Sequence, residues 1–238
     1  MARIDEIRYD LDLGETIDVC LFLKRYEPDV KNAIVKYCKP GMIVFDIGAN
    51  VGAHALQLAK TVGNNGMVWA FEPTEYAYKK LTRNTALNLA LNIRTARVAL
   101  SDHNKEKQQI EFRSSWPTTG KRNDYPCSVN FIKLDTWCYD QGINRVDFIK
   151  LDVDGNEHSV ISGAKELLTR WHPIILMEAW GPNFANPLRN PFILLKQFGY
   201  RFFHVDCDEE YQSIRELRAR VSSHGKLTEK SINIIARS

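Results

Sequence analysis

Residues 42–52 read Met-Ile-Val-Phe-Asp-Ile-Gly-Ala-Asn-Val-Gly. The nearly continuous apolar run Met42–Ile47 predicts a buried parallel strand. Gly48 and Gly52 bracket a tight turn, in which a backbone without Cβ can approach a ligand closely. Apolar residues then recur at helical spacing, which predicts a helix with one apolar face. A strand, a glycine loop and a helix in this order predict a doubly wound α/β sheet with a cofactor site at the carboxyl end of the strand.

The loop favours one kind of cofactor. A dinucleotide fingerprint requires glycine at the position of Asn50, and the negative charge of Asp46 would repel a pyrophosphate. A carboxylate here suits a cofactor that carries an amino group or a sulfonium, and S-adenosylmethionine (SAM) carries both. An ordinary strand–helix turn closed by Asp46 is the alternative interpretation.

The next two predicted strands extend this site. Met67–Glu72 is predicted to be the second strand, and in doubly wound folds an acidic residue at its end accepts hydrogen bonds from ribose hydroxyls. The interval from Gly48 to Glu72 is close to the usual spacing of about 20 residues. The third strand is predicted over Arg94–Leu100, so that Ser101 would flank the adenine.

Length and composition are those of a globular chain. The 238 residues suffice for one α/β domain, and 44% are hydrophobic and 26% charged. The net charge of +3 does not predict nucleic-acid binding, and no stretch is apolar enough to span a bilayer or serve as a signal peptide. Five scattered cysteines without a C-x-x-C pair predict neither disulfides nor zinc, so a cytoplasmic location is expected.

The remaining pattern completes the predicted domain. We expect an N-terminal helical extension over residues 1–40 and a single domain over 41–238, with extra short strands near 105–135 around a loop at 114–126. An apolar stripe through residues 160–168 predicts one helix. The other predicted elements are helices from Pro28 to Cys38, Thr74–Leu91 and Asn190–Phe198, and strands Val146–Asp152, Pro173–Glu178, Tyr200–Asp206 and Ser231–Ala236.

Several of these motifs, taken in order, resemble the FkbM-type SAM-dependent methyltransferases. The resemblance covers Gly41–Glu178, and Asp154 departs from the glutamate that the family usually has. The motifs are Val44–Gly52, Phe71-Glu72-Pro73, Asn84, Asn88, Ala99-Leu100-Ser101-Asp102, Phe148–Glu157 and Gly163-Ala164.

The resemblance implies a Rossmann-like class I methyltransferase with a seven-stranded, mostly parallel sheet and an antiparallel last strand. It implies SAM as methyl donor, S-adenosylhomocysteine as product, and O-methylation of a hydroxyl on a sugar or natural-product acceptor. The residues expected to bind the cofactor are Asp46, Gly48, Ala49, Asn50, Gly52, Glu72, Pro73, Leu100, Ser101 and Asp152.

Two carboxylates are candidates for the catalytic base that an acceptor hydroxyl requires. Asp152 and Glu178 are both predicted to end parallel strands beside the first one, where ligands bind in such sheets. We favour Asp152 as the base. The alternative is that Asp152 caps the following loop or holds the methionine end of SAM.

Other interpretations remain open. Mg²⁺ held by Asp152 and Asp154 is a variant mechanism that the spacing does not require, and no metal site is predicted. A SAM-binding module without turnover and a nicotinamide oxidoreductase are the rival functions. Trp116, Trp180 and Phe184 either stack on a sugar or pack on the domain. We expect a small-molecule or glycan acceptor and no nucleic-acid or membrane partner, and a homodimer is an open alternative.

Overall fold

The computed structural model describes residues 1–110, 127–223, 226–228 and 231–238. The chain forms two compact units, one of Met1–Ala99 with Lys105–Phe131 and one of Leu100–Asn104 with Ile132–Ser238. Among the helices in these ranges, none is both long and apolar enough to cross a membrane.

The strands and helices alternate along most of the chain, as the sequence predicts for an α/β fold. The strands are β1 (Ala2–Ile4), β2 (Ile7–Tyr9), β3 (Ile43–Ile47), β4 (Met67–Phe71), β5 (Ile93–Ala96), β6 (Ala99–Leu100), β7 (Lys105–Ile110), β8 (Cys127–Ile132), β9 (Phe148–Leu151), β10 (Ile174–Trp180), β11 (Arg201–His204), β12 (Ser222–Ser223), β13 (Lys226–Leu227) and β14 (Ser231–Arg237). The helices are α1 (Thr16–Phe22), α2 (Pro28–Tyr37), α3 (Ala53–Val62), α4 (Glu75–Ala86), α5 (Leu134–Asp140), α6 (Glu157–Ser162), α7 (Lys165–Trp171), α8 (Pro191–Gln197) and α9 (Ile214–Arg220), with 3₁₀ turns at Gly181–Phe184 and Pro187–Arg189.

The main sheet has seven strands in the order β11-β14-β10-β9-β3-β4-β5. Strand β4 pairs in parallel with β3 and β5, and β9 pairs in parallel with β10. Strand β14 is antiparallel to both β10 and β11. The expected seven-stranded, mostly parallel sheet with an antiparallel last strand is therefore confirmed.

The first unit is built on the apolar runs that the sequence shows. From the second residue of each strand onward, β3 and β4 are buried. The N-terminal segment contains α1 and α2, as expected, but also a hairpin of β1 and β2 that the pattern did not predict. Ile7 and Tyr9 of this hairpin pack with Val51 and Ala53 of the glycine loop region.

Three predicted elements have different boundaries. The single strand Arg94–Leu100 is wrong, because β5 pairs with β4 whereas β6 belongs to a separate sheet of order β6-β8-β7. The helix expected to reach Leu91 ends at Ala86. The apolar stripe after Asn156 forms two helices, α6 and α7, because the chain breaks at Gly163.

The expected extra strands near 105–135 are present as β7 and β8, which pair antiparallel. The predicted loop at 114–126, with Trp116, lies outside the described residues. Val30 and Ile34 of α2 and Cys38 at its C-terminal end are buried, whereas Val35 of the same helix is exposed.

Candidate active site

The glycine loop between β3 and α3 is anchored to the end of the neighbouring strand. The backbone N–H groups of Gly48 and Ala49 both donate to the carbonyl of Phe71, at 3.0 and 2.9 Å. Gly52 N–H donates to the carbonyl of Ala49 at 2.8 Å and closes the turn. The loop follows β3, as the sequence predicted, and these bonds attach it to the carboxyl end of β4.

Three residues of the loop have the left-handed backbone conformation. The φ angles of Gly48, Asn50 and Gly52 are 83°, 47° and 89°. Asn50 therefore adopts the conformation that glycine normally supplies at the same place. A Cβ at Gly52 would lie 2.7 Å from Cδ1 of Leu81, so that position excludes a side chain by contact as well. The features that distinguish this glycine loop from a pyrophosphate-binding loop are therefore the Asn50 side chain and the Asp46 charge.

Glu72 follows β4 directly and is buried. Its Oε2 accepts the backbone N–H of Asn50 at 3.0 Å, and its Oε1 accepts the backbone N–H of Thr74 at 2.9 Å and the Thr74 hydroxyl. The structure thus joins two predicted cofactor residues, Asn50 and Glu72, and places Pro73 between Glu72 and the cap of α4. Asp46 is fully buried within β3, opposite Ala70 of β4.

Asn84 of α4 connects the glycine loop with the segment after the N-terminal hairpin, and Asn88, just beyond α4, binds the hairpin itself. Asn84 Nδ2 donates to the carbonyl of Val51 at 2.8 Å, and Asn84 Oδ1 accepts the N–H of Asp10 at 2.8 Å. Asn88 accepts from the N–H of Arg8 and donates to its carbonyl, at 2.9 and 2.7 Å. Sequence reasoning assigned no role to this pair, although asparagines at i and i+4 of an amphipathic helix are a readable signal.

The residues of this unit fit SAM. Glu72 places a buried carboxylate at the end of β4, where an acidic residue accepts ribose hydroxyls in doubly wound folds, and the negative charge of Asp46 suits an ammonium or sulfonium group. The buried Oδ1 of Asn50 has no hydrogen-bond partner among the described atoms, so it is an acceptor left for a ligand. The loop glycines admit a ligand to the backbone.

The second unit places the two candidate bases side by side. Strands β9 and β10 pair in parallel with Lys150 opposite Leu176 and Leu151 opposite Met177. Asp152 and Glu178 are the next pair in this register, so their side chains lie on the same face of neighbouring strands. The buried Lys150 forms an ion pair with Asp152, with 3.2 Å between Nζ and Oδ2. Sequence reasoning missed Lys150. The signal that could have indicated it is a charged residue inside an apolar strand.

Glu178 has a carboxyl group whose ionisation is disfavoured. Burial raises its pKa to about 7, and the negative charge of Asp152 is the second cause. Glu157 and Asp154 act in the same direction, whereas a hydrogen bond from the side chain of Ser231 opposes them. Glu178 thus titrates close to neutral pH.

Glu157 braces the loop that follows Asp152. Its Oε1 accepts the N–H groups of Val153 and Gly155 at 3.3 and 3.1 Å, and its Oε2 accepts Asn183 Nδ2 at 2.8 Å. Asn183 Oδ1 in turn accepts the N–H of Trp180 at 2.9 Å. The hydrogen bonds of Glu157 and Asn183 therefore connect the loop after β9 with the end of β10. Burial also raises the pKa of Glu157.

Leu100 and Ser101 lie in a different setting from the predicted one. Leu100 is the last residue of β6 and Ser101 comes directly after it. Because β6 belongs to the separate sheet, the prediction that Ser101 follows the third parallel strand is wrong. Ser101 N–H donates to the carbonyl of Ile132 at 3.0 Å, and its hydroxyl lies 3.2 Å from Asp102 Oδ1. Their role beside the adenine stays a prediction.

The aromatic candidates separate into two kinds. Phe184 is buried and stacks on Phe192 with 4.8 Å between the ring centroids, so it belongs to the core. Trp180 is half-buried at the end of β10, and a Cβ at Gly155 would lie 3.3 Å from its ring. Within the described ranges, no group of three or more His, Cys, Asp or Glu side chains is arranged to hold a metal ion.

The fold is that of class I SAM-dependent methyltransferases. It matches precorrin-6y C5,15-methyltransferase from Geobacter metallireducens GS-15 with a TM-score of 0.52 at 12% identity, over 98% of this chain and 94% of that one. It also matches a SAM-dependent O-methyltransferase from Thermotoga maritima with a TM-score of 0.51 at 14% identity, over 93% and 70% of the two chains.

The family follows from the sequence match. The methyltransferase FkbM domain matches residues 46–220, and the chain belongs to this family. The 2-O-methyltransferase NoeI of Sinorhizobium fredii is 30% identical over 154 residues, which are 56% of this chain and 61% of NoeI. The methyltransferase sdnD of Sordaria araneosa is 25% identical over 181 residues, 60% of this chain and 68% of sdnD. The match to NoeI thus spans about three fifths of that relative.

Proposed function

We propose that the protein is a SAM-dependent O-methyltransferase that acts on a hydroxyl of a sugar or natural-product acceptor. Membership of the FkbM family supports methyl transfer, and the name of the relative NoeI supports an oxygen as the methylated atom. The observation that carries the proposal is the contact of Glu72 with Asn50, which joins a strand-end carboxylate to the glycine loop.

Each predicted site residue has a role in this proposal. Bound SAM supplies an electrophilic methyl group. Asp46, Glu72 and the loop from Gly48 to Gly52 would hold SAM. Asp152 and Glu178 lie side by side on one face of β9 and β10 and are the candidates to take the proton of the acceptor hydroxyl.

The cofactor is tested by calorimetric titration with SAM, S-adenosylhomocysteine and NADH. We expect SAM and S-adenosylhomocysteine to bind the wild type, and Glu72→Ala to weaken both by about 10²-fold, since charge-assisted hydrogen bonds contribute about 1.5–3 kcal/mol each. Because Glu72 also holds the loop, Glu72→Gln serves as the size-matched variant. Glu75→Ala, which removes an exposed carboxylate of α4, is the control and should bind like the wild type.

Three results would overturn the proposal, and a fourth would change its mechanism. Folded wild-type protein that binds neither SAM nor its product is not a methyltransferase, and binding of NADH alone would favour a nicotinamide oxidoreductase. Binding without transfer of labelled methyl to any sugar, natural-product or protein acceptor would favour a silent SAM-binding module. Activity that disappears with a chelator and returns with Mg²⁺ would show the metal-dependent variant.

We also propose the kind of acceptor and the cellular location of the protein. A small-molecule or glycan acceptor suits the carboxylates and the half-buried Trp180. Among the described residues, Cys20, Cys138 and Cys207 are free thiols, as a reducing cytoplasm would allow. Light scattering of the purified chain would decide between monomer and homodimer.

A further inference from the structure

Side chains from neighbouring strands form one row at the carboxyl end of β9 and β10. Lys150 and Asp152 are two residues apart, so they lie on the same face of the strand. The parallel register places Glu178 beside Asp152, and the antiparallel register of β14 places Asn233 on the other side of Glu178. Neighbouring strands are about 4.8 Å apart, which brings the two carboxylates within reach of one ligand.

The two carboxylates of this row have different charged neighbours. Asp152 has a buried counter-ion, because Lys150 Nζ lies 3.2 Å from its Oδ2. The described charged groups that act on Glu178 are carboxylates: Asp152 directly after β9, Asp154 in the following loop, and Glu157 at the start of α6. Among the described residues, the side-chain hydrogen bond with Ser231 of β14 opposes them. The row therefore places a carboxylate that is paired with a lysine beside a carboxyl group that faces other carboxylates.

We propose that Glu178, and not Asp152, is the general base, that the Lys150–Asp152 ion pair is a fixed charge beside it, and that Lys150 is the positioning residue of that pair. This inference rests on the proposed function. Glu178 takes the proton of the acceptor hydroxyl as the oxygen bonds to the methyl carbon and the electron pair of the broken carbon–sulfur bond stays on sulfur. The proton then leaves Glu178 for solvent.

Two general arguments favour this division of roles. A base is most effective when its pKa lies near the working pH, and Glu178 meets this condition with a pKa of about 7. When two neighbouring carboxyl groups have environments that separate their ionisation, the one that is harder to ionise commonly exchanges the proton and the other stays charged. Lys150 provides the charge that makes this separation possible.

The first experiment is the pH profile of kcat/KM. In the wild type we expect kcat/KM to rise with pH and to reach half its plateau near pH 7, since only ionised Glu178 accepts a proton. Asp152→Asn should shift this midpoint downward by about one pH unit, because it removes a like charge. Its plateau should fall less than that of Glu178→Gln, which should lose about 10²–10⁴-fold at every pH while SAM affinity is retained. Glu166→Gln, an exposed change on α7, is the control.

The second experiment needs neither cofactor nor acceptor. Carbon-13 NMR of protein labelled at the glutamate carboxyl groups should show one resonance that titrates near pH 7, disappears in Glu178→Gln and persists in Glu166→Gln. In Asp152→Asn the midpoint of this titration should be lower than in the wild type. In Lys150→Met the midpoint should differ from that of the wild type, and a role of Lys150 in folding alone would not change it.

The two experiments distinguish failure of this inference from failure of the proposed function. If Asp152→Asn abolishes turnover at every pH while Glu178→Gln retains it, Asp152 is the base and the inference is wrong. A Glu178 resonance that titrates near 4.5, as in a free side chain, also overturns it. If the protein binds no SAM, the proposed function fails, and the NMR titration still decides whether Glu178 and Asp152 are coupled.

Discussion

Glu72 and Glu178 occupy similar places in the sequence but have different surroundings. Each stands at or near the end of an apolar strand. Glu72 accepts two backbone N–H groups, from Asn50 and Thr74. Glu178 faces Asp152 and other carboxylates, which favours its neutral form. The sequence could therefore predict where both acids lie, but their chemical roles depend on contacts made by distant residues.

Gly163 shows that a glycine can be required by contact instead of by conformation. Its φ of −88° is accessible to any residue, yet a Cβ there would lie 1.9 Å from the carbonyl oxygen of Ser101. We expect Gly163→Ala to lower the free energy of unfolding by about 3 kcal/mol or more, because overpacking against backbone costs at least 1–3 kcal/mol. Urea denaturation followed by circular dichroism measures this change.

Gly199 supplies the comparison for that substitution. Its φ is 84°, and nothing lies within 4 Å of the position of a Cβ. Gly199→Ala should cost only about 1–2 kcal/mol, the penalty of a left-handed alanine. Equal losses in the two variants would mean that the backbone near Ser101 moves to admit the methyl group.

At the scale of elements, local sequence patterns predicted the strands and helices that bury a continuous or periodic apolar run. Strands β3, β4, β9 and β10 all lie within two residues of their predicted bounds, and α3 follows the glycine loop as predicted. The hairpin of β1 and β2 was missed because its strands have three residues each, too few for a period to show. The predicted strand Arg94–Leu100 was too long because its two halves pair in different sheets, which depends on distant partners.

The missed hairpin is followed by the segment that Asn84 connects to the glycine loop. Asn84 is buried, and both ends of its side-chain amide are bonded to backbone groups. Asn84→Ala leaves the N–H of Asp10 and the carbonyl of Val51 without these partners. We expect a loss of about 2–4 kcal/mol in the free energy of unfolding, since each unsatisfied buried group costs about 1–3 kcal/mol. The loss is measured by urea denaturation, and calorimetry should show weaker SAM binding through the displaced loop.

Asn88→Ala is the matched control. Asn88 makes bonds of the same type to Arg8, but at a more exposed place where water can replace them. It should cost about 1 kcal/mol or less. If both variants lose the same stability, burial of the Asn84 bonds is not what holds the segment after the hairpin to the loop.

For the whole molecule, the count of strands came from the resemblance and not from local pattern. The runs Tyr200–Asp206 and Ser231–Ala236 predicted two final strands, but nothing in them states that β14 lies between β10 and β11. That order depends on backbone pairing between residues far apart in sequence, such as Ile175 with Ala236. The same pairing places Asn233 beside Glu178, so part of the candidate site also escaped prediction.

The charges of the whole molecule predict how its stability depends on pH. The hydrogen bond and charge of Lys31 lower the pKa of Asp5, so the contribution of Asp5 to stability is lost in acid. Glu178 behaves in the opposite way, because its pKa is about 7 in the folded chain against an ordinary value of 4.5. Between these two values the folded state binds more protons than the unfolded state, so the free energy of unfolding falls as pH rises through this window.

The Glu178→Gln variant isolates this contribution. Its stability should exceed that of the wild type increasingly between about pH 4.5 and pH 7, and the difference between the two proteins should change by about 1–3 kcal/mol across the window. Urea denaturation at pH 5 and pH 7.5 measures it, with Glu166→Gln as the control that should follow the wild type. Parallel stability curves for Glu178→Gln and wild type would show that Glu178 ionises as easily in the folded chain as in the unfolded one. In that case burial and the charge of Asp152 would not act on Glu178 as the structure indicates.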